Sequence, residues 1–136
     1  MTVLGRDAIL AAEDLPQEYV ETPEWGGGVW IRCLTAAERD AFEAQQIQAR
    51  VEGRKVTVTP DLQNAKARLV VRCIVDEAGK RLFADKDAVA LGAKSAAVVD
   101  RLYTAARRLS GMAREDDLAE LIKNSDADRT GDSSSA

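Results

Sequence analysis

A run of three glycines, Gly26-Gly27-Gly28, stands between two segments with strand character and shortly before a helix-start signal. Residues 17–22, QEYVET, contain strand-forming residues, and residues 29–34, VWIRCL, alternate between two faces as a β-strand requires. Pro23 and the glycines force the chain to reverse between these segments. The pattern therefore predicts an antiparallel β-hairpin near the N-terminus. Because an isolated hairpin is marginally stable in water, it must pack on helices or on another protein.

The helix-start signal is Thr35-Ala36-Ala37-Glu38, a capping box in which Thr35 and Glu38 satisfy each other's backbone N–H groups. The helix that it begins is expected to run to about Arg50, with an apolar stripe of alanines beside Phe42, and to be ended by Gly53. Residues 53–58 are expected to form an exposed loop or a short strand.

Apolar residues at helical spacing predict further helices in the rest of the chain. Thr59-Pro60 has the form of a threonine cap followed by proline at the first helical position, which predicts a core helix over residues 60–75. After a turn at residues 76–80, Arg81-Leu82-Phe83 could close a second short hairpin against Ile74-Val75. The other predicted helices cover residues 6–12, 85–91, 95–109 and 114–123.

These elements predict an α+β fold, with one mostly helical domain of four to six helices and a small antiparallel hairpin near its N-terminus. The chain of 136 residues has the length of one domain. This domain is expected to cover residues 1–123. Residues 124–136, NSDADRTGDSSSA, are polar and are expected to form a disordered tail.

The chain contains no histidine, which removes the usual general base of Ser-His-Asp and Cys-His sites and most zinc sites. Cys33 and Cys73 lack CxxC spacing and are interpreted as reduced core residues. The carboxylates near Asp85 and Glu115 are interpreted as solvated charges at helix starts. The sequence therefore predicts a protein that is not an enzyme and that holds neither a cofactor nor a metal.

The net charge of −4 argues against sequence-independent binding of nucleic acid. No apolar run approaches the roughly 20 residues that cross a bilayer, and the N-terminus is too acidic for a signal peptide. No membrane partner is therefore expected.

With nucleic acid and membranes disfavoured, the expected partners are other proteins. Trp25 and Trp30 flank the glycine turn, and one of them is expected to enter the core while the other stays on an open strand face. Arg54 and Lys55 belong to a small basic patch, which is either a solvated loop or a docking point for an acidic partner. The candidate partner-binding residues are Trp25, Trp30, Arg32, Phe42, Arg54 and Lys55.

Residues 9–43, ILAAEDLPQEYVETPEWGGGVWIRCLTAAERDAFE, resemble the N-terminal half of tail assembly chaperones of long-tailed bacteriophages and prophages. The matching features are an acidic residue and proline before the first strand, the PEWGG turn, and a strand that ends in L-(T/S)-x-x-E-R-D-x-F-E. Residues 66–112 agree with the distal half. The third glycine of the turn is a departure from the two that the family leads us to expect.

The resemblance implies a protein of the host bacterial cytoplasm that binds the phage tape measure protein and keeps it soluble. It also implies help in recruiting tail tube protein and absence from the finished virion. Because a small protein can cover a long helical partner only in many copies, self-association of those copies is a further possibility. Two alternatives stay open: a structural or connector subunit that the tail retains, and a small regulatory adaptor with a bacterial partner.

Overall fold

The computed structural model describes residues 1–112, so the predicted helix 114–123 and the predicted tail 124–136 lie outside the described residues. Helices alternate along the chain with short antiparallel strands, which confirms the predicted α+β class. The helices are α1 (Arg6–Ala11), α2 (Ala36–Gln45), α3 (Ala65–Cys73), α4 (Ala88–Gly92) and α5 (Ala96–Leu109). The strands are β1 (Gln17–Thr22), β2 (Gly27–Arg32), β3 (Ile47–Glu52), β4 (Lys55–Pro60) and β5 (Ile74–Val75).

The N-terminal hairpin predicted from the glycine run is present as β1 and β2. β5 pairs with the other edge of β2, which gives an antiparallel three-stranded sheet in the order β1-β2-β5. A 3₁₀ turn, Pro23–Trp25, joins β1 to β2, and Gly26 follows it with a φ of 83°. Glycine adopts this left-handed conformation at no steric cost, so it is suited to the reversal.

The core lies where α3 and α5 pack against each other and against the inner face of this sheet. Ile31 of β2, Leu69 and Val70 of α3, and Val98 and Leu102 of α5 are fully buried. The buried side of α5 is the apolar stripe that the sequence predicted. Ser95, the first residue of the predicted helix, occupies the N-cap position of α5, but its side chain makes no capping hydrogen bond.

The capping box at the start of α2 is confirmed. The backbone N–H of Glu38 donates to Thr35 Oγ1 at 3.1 Å, and the backbone N–H of Thr35 donates to Glu38 Oε1 at 3.0 Å. The predicted end of this helix is wrong, because α2 stops at Gln45 and β3 begins at Ile47. The predicted alanine stripe is also wrong: Phe42 is the one buried residue of α2.

The structure adds a hairpin that the sequence did not predict, formed by β3 and β4. Gly53, with a φ of 62°, lies in its two-residue turn rather than at a helix end. Pro60 ends an edge strand, where a missing N–H is tolerated, instead of beginning a helix. The helix predicted from residue 60 therefore begins only at Ala65, and Leu62, which lies within the predicted core helix, is 68% exposed.

The second hairpin that the sequence suggested is reduced to a single bridge. Val75 forms one antiparallel bridge with Arg81, and the N–H of Leu82 donates to the carbonyl of Ile74 at 3.2 Å. Gly79, with a φ of 86°, lies in the predicted turn at residues 76–80. The chain leaves the sheet directly after this bridge, so no second hairpin strand forms.

Candidate partner-binding surface

No group of three or more acidic or cysteine side chains is placed to hold a metal ion within residues 1–112. Cys33 and Cys73 are buried free thiols, as the sequence predicted. Burial raises the pKa of Cys73 to about 12, and it also raises the pKa of Cys33. Since the thiolate is the nucleophile, neither cysteine is suited to covalent chemistry near neutral pH.

The outer face of the first sheet carries two aromatic rings. Tyr19 of β1 lies opposite Trp30 of β2, and their ring centroids are 5.7 Å apart in an edge-to-face arrangement. Such a pair is stabilised by the quadrupoles of the two rings. Tyr19 is nevertheless 50% exposed, so the pair presents an apolar surface to solvent.

Gly28 makes this arrangement possible. A Cβ atom at Gly28 would lie 2.4 Å from Cζ of Tyr19 and 2.8 Å from the carbonyl oxygen of Val20. The tyrosine ring therefore rests in space that only glycine leaves free. The third glycine, which departs from the two expected from the family resemblance, therefore leaves room for a ring on the sheet.

Trp25 lies in the 3₁₀ turn and is partly exposed, whereas Trp30 is half-buried. The expectation that one tryptophan enters the core is therefore wrong, because Trp30 packs against Tyr19 on the outer face of the sheet. We refer to Tyr19, Trp25 and Trp30 as the hairpin aromatics.

The outer edge of β1 lies beside these aromatics. Within residues 1–112 only β2 pairs with β1, so the backbone groups along its other edge have no strand partner. An unpaired edge can accept a strand from another protein. The first sheet can therefore contact another protein in two ways: the hairpin aromatics offer apolar surface, and the edge of β1 offers backbone hydrogen bonds.

Two ion pairs fix the first hairpin to α5. Arg101 donates to both carboxylate oxygens of Glu24, at 2.8 and 2.9 Å, and Arg108 pairs with Glu18. The hydrogen bonds from Arg101 hold the pKa of Glu24 at about 2. This bidentate geometry sets the orientation of the turn that carries Trp25.

Arg32 connects three parts of the fold through hydrogen bonds of its side chain. Its guanidinium donates to Glu38 Oε1 at 2.7 Å, to the carbonyl of Cys33 at 3.2 Å and to the carbonyl of Gly79 at 3.3 Å. It thereby joins β2, the capping box of α2 and the turn that follows β5. Most of its donors are occupied within the fold, so little of this predicted partner-binding residue is left for a partner.

Phe42 also lies away from the surface. Its side chain is only 3% exposed and belongs to the main core cluster with Ile31, Leu34 and Leu69. Phe42 points inward because it is the one large apolar residue of α2. Phe42 therefore presents no surface to a partner in this structure, contrary to the use that the sequence suggested for it.

Residues 47–60, which we call the hairpin arm, project as a two-stranded sheet. The register places Ile47, Ala49 and Val51 on one face together with Val56, Val58 and Pro60. The strand period of two puts the polar residues of both strands on the opposite face. Every residue of β4 is exposed, and Val51 of β3 is 67% exposed. The apolar face is thus uncovered within the described part of the chain.

The base of the hairpin arm is held firmly. The N–H of Asp61 donates to the carbonyl of Gln46 at 2.8 Å. Arg68 of α3 donates to the carbonyls of Gln45 and Asp61 at 2.6 and 2.5 Å. Arg54 and Lys55 lie at the opposite end, in and beside the turn, and are exposed. The arm is therefore a basic-tipped projection on a fixed base.

A family model described as phage tail assembly chaperone matches residues 6–126. The chain belongs to the phage tail assembly chaperone family. The family and its fold favour a non-enzymatic role, with phage tail proteins as partners.

The chaperone also resembles a solved structure described as the bacteriophage HK97 tail assembly chaperone. The TM-score is 0.53 at 16% sequence identity, and the match covers 76% of this chain and 94% of that chain. At this identity the likeness shows a shared fold. No curated protein matches the chain. Among residues 1–112, none of the helices has the length and apolar character that crossing a membrane requires.

The six residues predicted to bind partners do not form one patch in the chaperone. Trp25, Trp30 and Arg32 belong to the first sheet and its turn, Arg54 and Lys55 to the tip of the hairpin arm, and Phe42 to the core. Sequence reasoning missed Tyr19 and the apolar face of the hairpin arm. The alternation of apolar residues from Ile47 to Val58 was the signal that could have revealed that face.

Proposed function

We propose that this chaperone binds the tape measure protein of its phage in the host bacterial cytoplasm and keeps it soluble during tail assembly. The observation that carries the proposal is the exposure of Tyr19 and Trp25 beside the edge of β1 that no strand of residues 1–112 pairs with. Aromatic side chains at an exposed strand edge are typical of surfaces that bind another protein.

A long tape measure chain with apolar stripes aggregates if those stripes stay exposed to water. Tyr19 and Trp25 offer apolar surface that can cover part of such a stripe. The net charge of −4 adds mutual repulsion between covered chains, which favours solubility. Many copies with modest individual contacts can hold a long partner by avidity and still be displaced later.

We infer in addition that the chaperone helps to recruit tail tube protein and leaves before the virion is complete. This part rests on the family and on the modest size of each contact with the tape measure protein, which allows the chaperone to be displaced. Mass spectrometry of purified virions tests it: the account expects the chaperone to be absent. A stoichiometric amount in mature tails would instead favour a structural or connector subunit.

Co-expression with the tape measure protein tests the binding itself. We expect wild-type chaperone to keep the tape measure protein in the soluble fraction, and a Tyr19→Ala/Trp25→Ala variant to lose most of this effect. Val89→Ala is the matched control, because Val89 is also an exposed apolar residue but lies on α4. Circular dichroism verifies that the variants are folded. Equal solubility with wild type, variant and control would overturn the role of these aromatics.

A further inference from the structure

A groove lies between the start of α3, the end of α4 and the N-terminal half of α5, and we call it the α3–α5 groove. Its volume is about 470 Å³, and Leu62, Ala65, Val99 and the ring of Tyr103 contribute to its apolar lining. Leu62 is 68% exposed and Tyr103 is half-buried, so this lining is open to solvent in the part of the chain that the structure describes. An element that covered the groove would remove apolar surface from water.

Basic side chains surround the aromatic part of the groove. The amine of Lys66 lies 5.4 Å from the centre of the Tyr103 ring, and the guanidinium of Arg107 lies at the same distance. Lys94 also lines the groove. Asp100 is the one acidic residue among the described residues of the lining, and it pairs with Lys66 at 2.8 Å. The groove and its border therefore carry a net positive charge, which favours an acidic occupant.

The chain turns out of α5 at Gly111. The N–H of Met112 donates to the carbonyl of Arg107 at 2.9 Å, and the N–H of Gly111 donates to the carbonyl of Arg108 at 3.2 Å. These two bonds, with a φ of 69° at Gly111, form a Schellman motif, which ends a helix. The residues that follow Met112 can therefore run back beside α5 instead of continuing along its axis.

The sequence beyond Met112 has the character that the groove favours. It predicts a helix over residues 114–123, REDDLAELIK, with Leu118, Leu121 and Ile122 on one face. Its acidic residues outnumber its basic residues by four to two, namely Glu115, Asp116, Asp117 and Glu120 against Arg114 and Lys123. The family model extends to residue 126 and therefore includes this segment. The segment is both apolar on one side and acidic.

We propose that residues 114–123 pack as a helix in the α3–α5 groove of their own chain. An α-helix rises about 1.5 Å per residue, so ten residues extend about 15 Å, whereas α5 covers about 12 Å from Arg107 back to Val99. A helix that begins directly after the turn thus reaches the groove without a linker. Its acidic first turn lies near Arg107, and its apolar side covers Tyr103 and Val99.

The attachment of this segment to α5 favours it over a helix of another protein. A tethered segment is present at a high effective concentration beside its site, so a separate helix has to compete with it. The groove is then closed in the free chaperone, and the hairpin aromatics remain open to partners. The inference concerns packing within one chain and does not depend on tape measure binding.

Urea unfolding of the purified full-length chain tests whether the segment packs. We expect Leu121→Glu to lower the unfolding midpoint by about 1 M, because it removes a large apolar side chain from the contact. Asn124→Glu is the matched control, since it adds the same charge one residue beyond the predicted helix. Its midpoint is expected to equal that of wild type.

Cross-linking of paired cysteines tests where the segment packs. Lys66→Cys/Ile122→Cys places one thiol in the groove and one in the segment, and a short bismaleimide is expected to join them within one chain. Lys55→Cys/Ile122→Cys is the matched control, because Lys55 lies at the tip of the hairpin arm, and it is expected to give little cross-link. Native Cys33 and Cys73 are buried, so the introduced thiols react first.

Several results would overturn the proposal. Equal urea midpoints for wild type and Leu121→Glu would show that the segment does not pack and that the groove is left to a partner. Cross-links that join two chains would show that the segment occupies the groove of a second copy. Absence of the cross-link at Lys66→Cys, or equal cross-linking at Lys55→Cys, would remove the segment from the groove. None of these results would affect the test of the hairpin aromatics.

Discussion

Replacing Phe42 with alanine separates a core role from a binding role for this residue. Phe42 is 3% exposed and is the only buried residue of α2, so it attaches that helix to the core formed by α3 and β2. Truncating a buried phenylalanine to alanine costs about 3 to 5 kcal/mol from lost burial and the cavity left behind. A domain of this size has a total stability of roughly 5 to 15 kcal/mol, so the loss is a large fraction of it.

Urea unfolding followed by circular dichroism measures this loss. We expect the midpoint to fall with an unchanged slope, which is the signature of lower stability with the same unfolded surface. Phe42→Leu keeps most of the volume and is expected to cost only about 1 to 1.5 kcal/mol. Asp40→Ala, at an exposed position of the same helix, is the control and is expected to change stability by less than about 0.5 kcal/mol. A loss below about 1 kcal/mol for Phe42→Ala would refute the core assignment and return the residue to the candidate surface.

Two further predictions concern the first hairpin. Gly28→Ala should displace the ring of Tyr19 and cost about 1 to 3 kcal/mol in the same unfolding assay, whereas Gly27→Ala, whose Cβ would meet nothing, should be almost neutral; equal costs would contradict the packing described for the ring. Because Arg101 lowers the pKa of Glu24 from 4.5 to about 2, the ionised carboxylate stabilises the fold above pH 4.5, and this stabilisation is lost as the pH falls through 2. Glu24→Gln should therefore flatten the dependence of stability on pH between these values, and an unchanged profile would contradict the ion pair.

The elements predicted correctly are those in which a local sequence pattern, such as a capping box or a helical apolar stripe, matches the surface that the fold buries. The capping box of Thr35 and Glu38 fixes the start of α2 whatever surrounds it. The stripe of α5 is read correctly because both its helical period and its buried face repeat over fourteen residues. The hairpin of β1 and β2 follows from strand formers on each side of a glycine turn.

The hairpin arm was missed because two local signals competed there. Residues Ala44 to Gln46 favour helix, and Thr59-Pro60 has the form of a helix start, so both flanks indicated helices that the fold does not continue. The period-two alternation between Ile47 and Val58 was short, and its apolar face is exposed rather than buried. A sequence pattern reports alternation, but it cannot report what covers the apolar side.

The candidate surface was predicted only in part, for a related reason. Trp25 and Trp30 were found because large aromatics beside a turn are visible in the sequence. The positions of Arg32 and Phe42 depend on tertiary contacts, with Glu38 and Gly79 in one case and with the core in the other. Gly79 and most of the core partners of Phe42 are far from these residues in the chain, so no local pattern contains those contacts.

The central claim is that this chaperone acts by binding a tail protein through the hairpin aromatics. Titration calorimetry of the purified chaperone with a soluble segment of the tape measure protein tests it most directly. Aromatic side chains that become buried at a protein interface often contribute about 2 kcal/mol or more to binding. The Tyr19→Ala/Trp25→Ala variant should therefore bind roughly 30-fold more weakly or worse, whereas Val89→Ala should keep the wild-type affinity. Wild-type affinity in the aromatic variant, or no binding by the wild-type chaperone, would contradict the account.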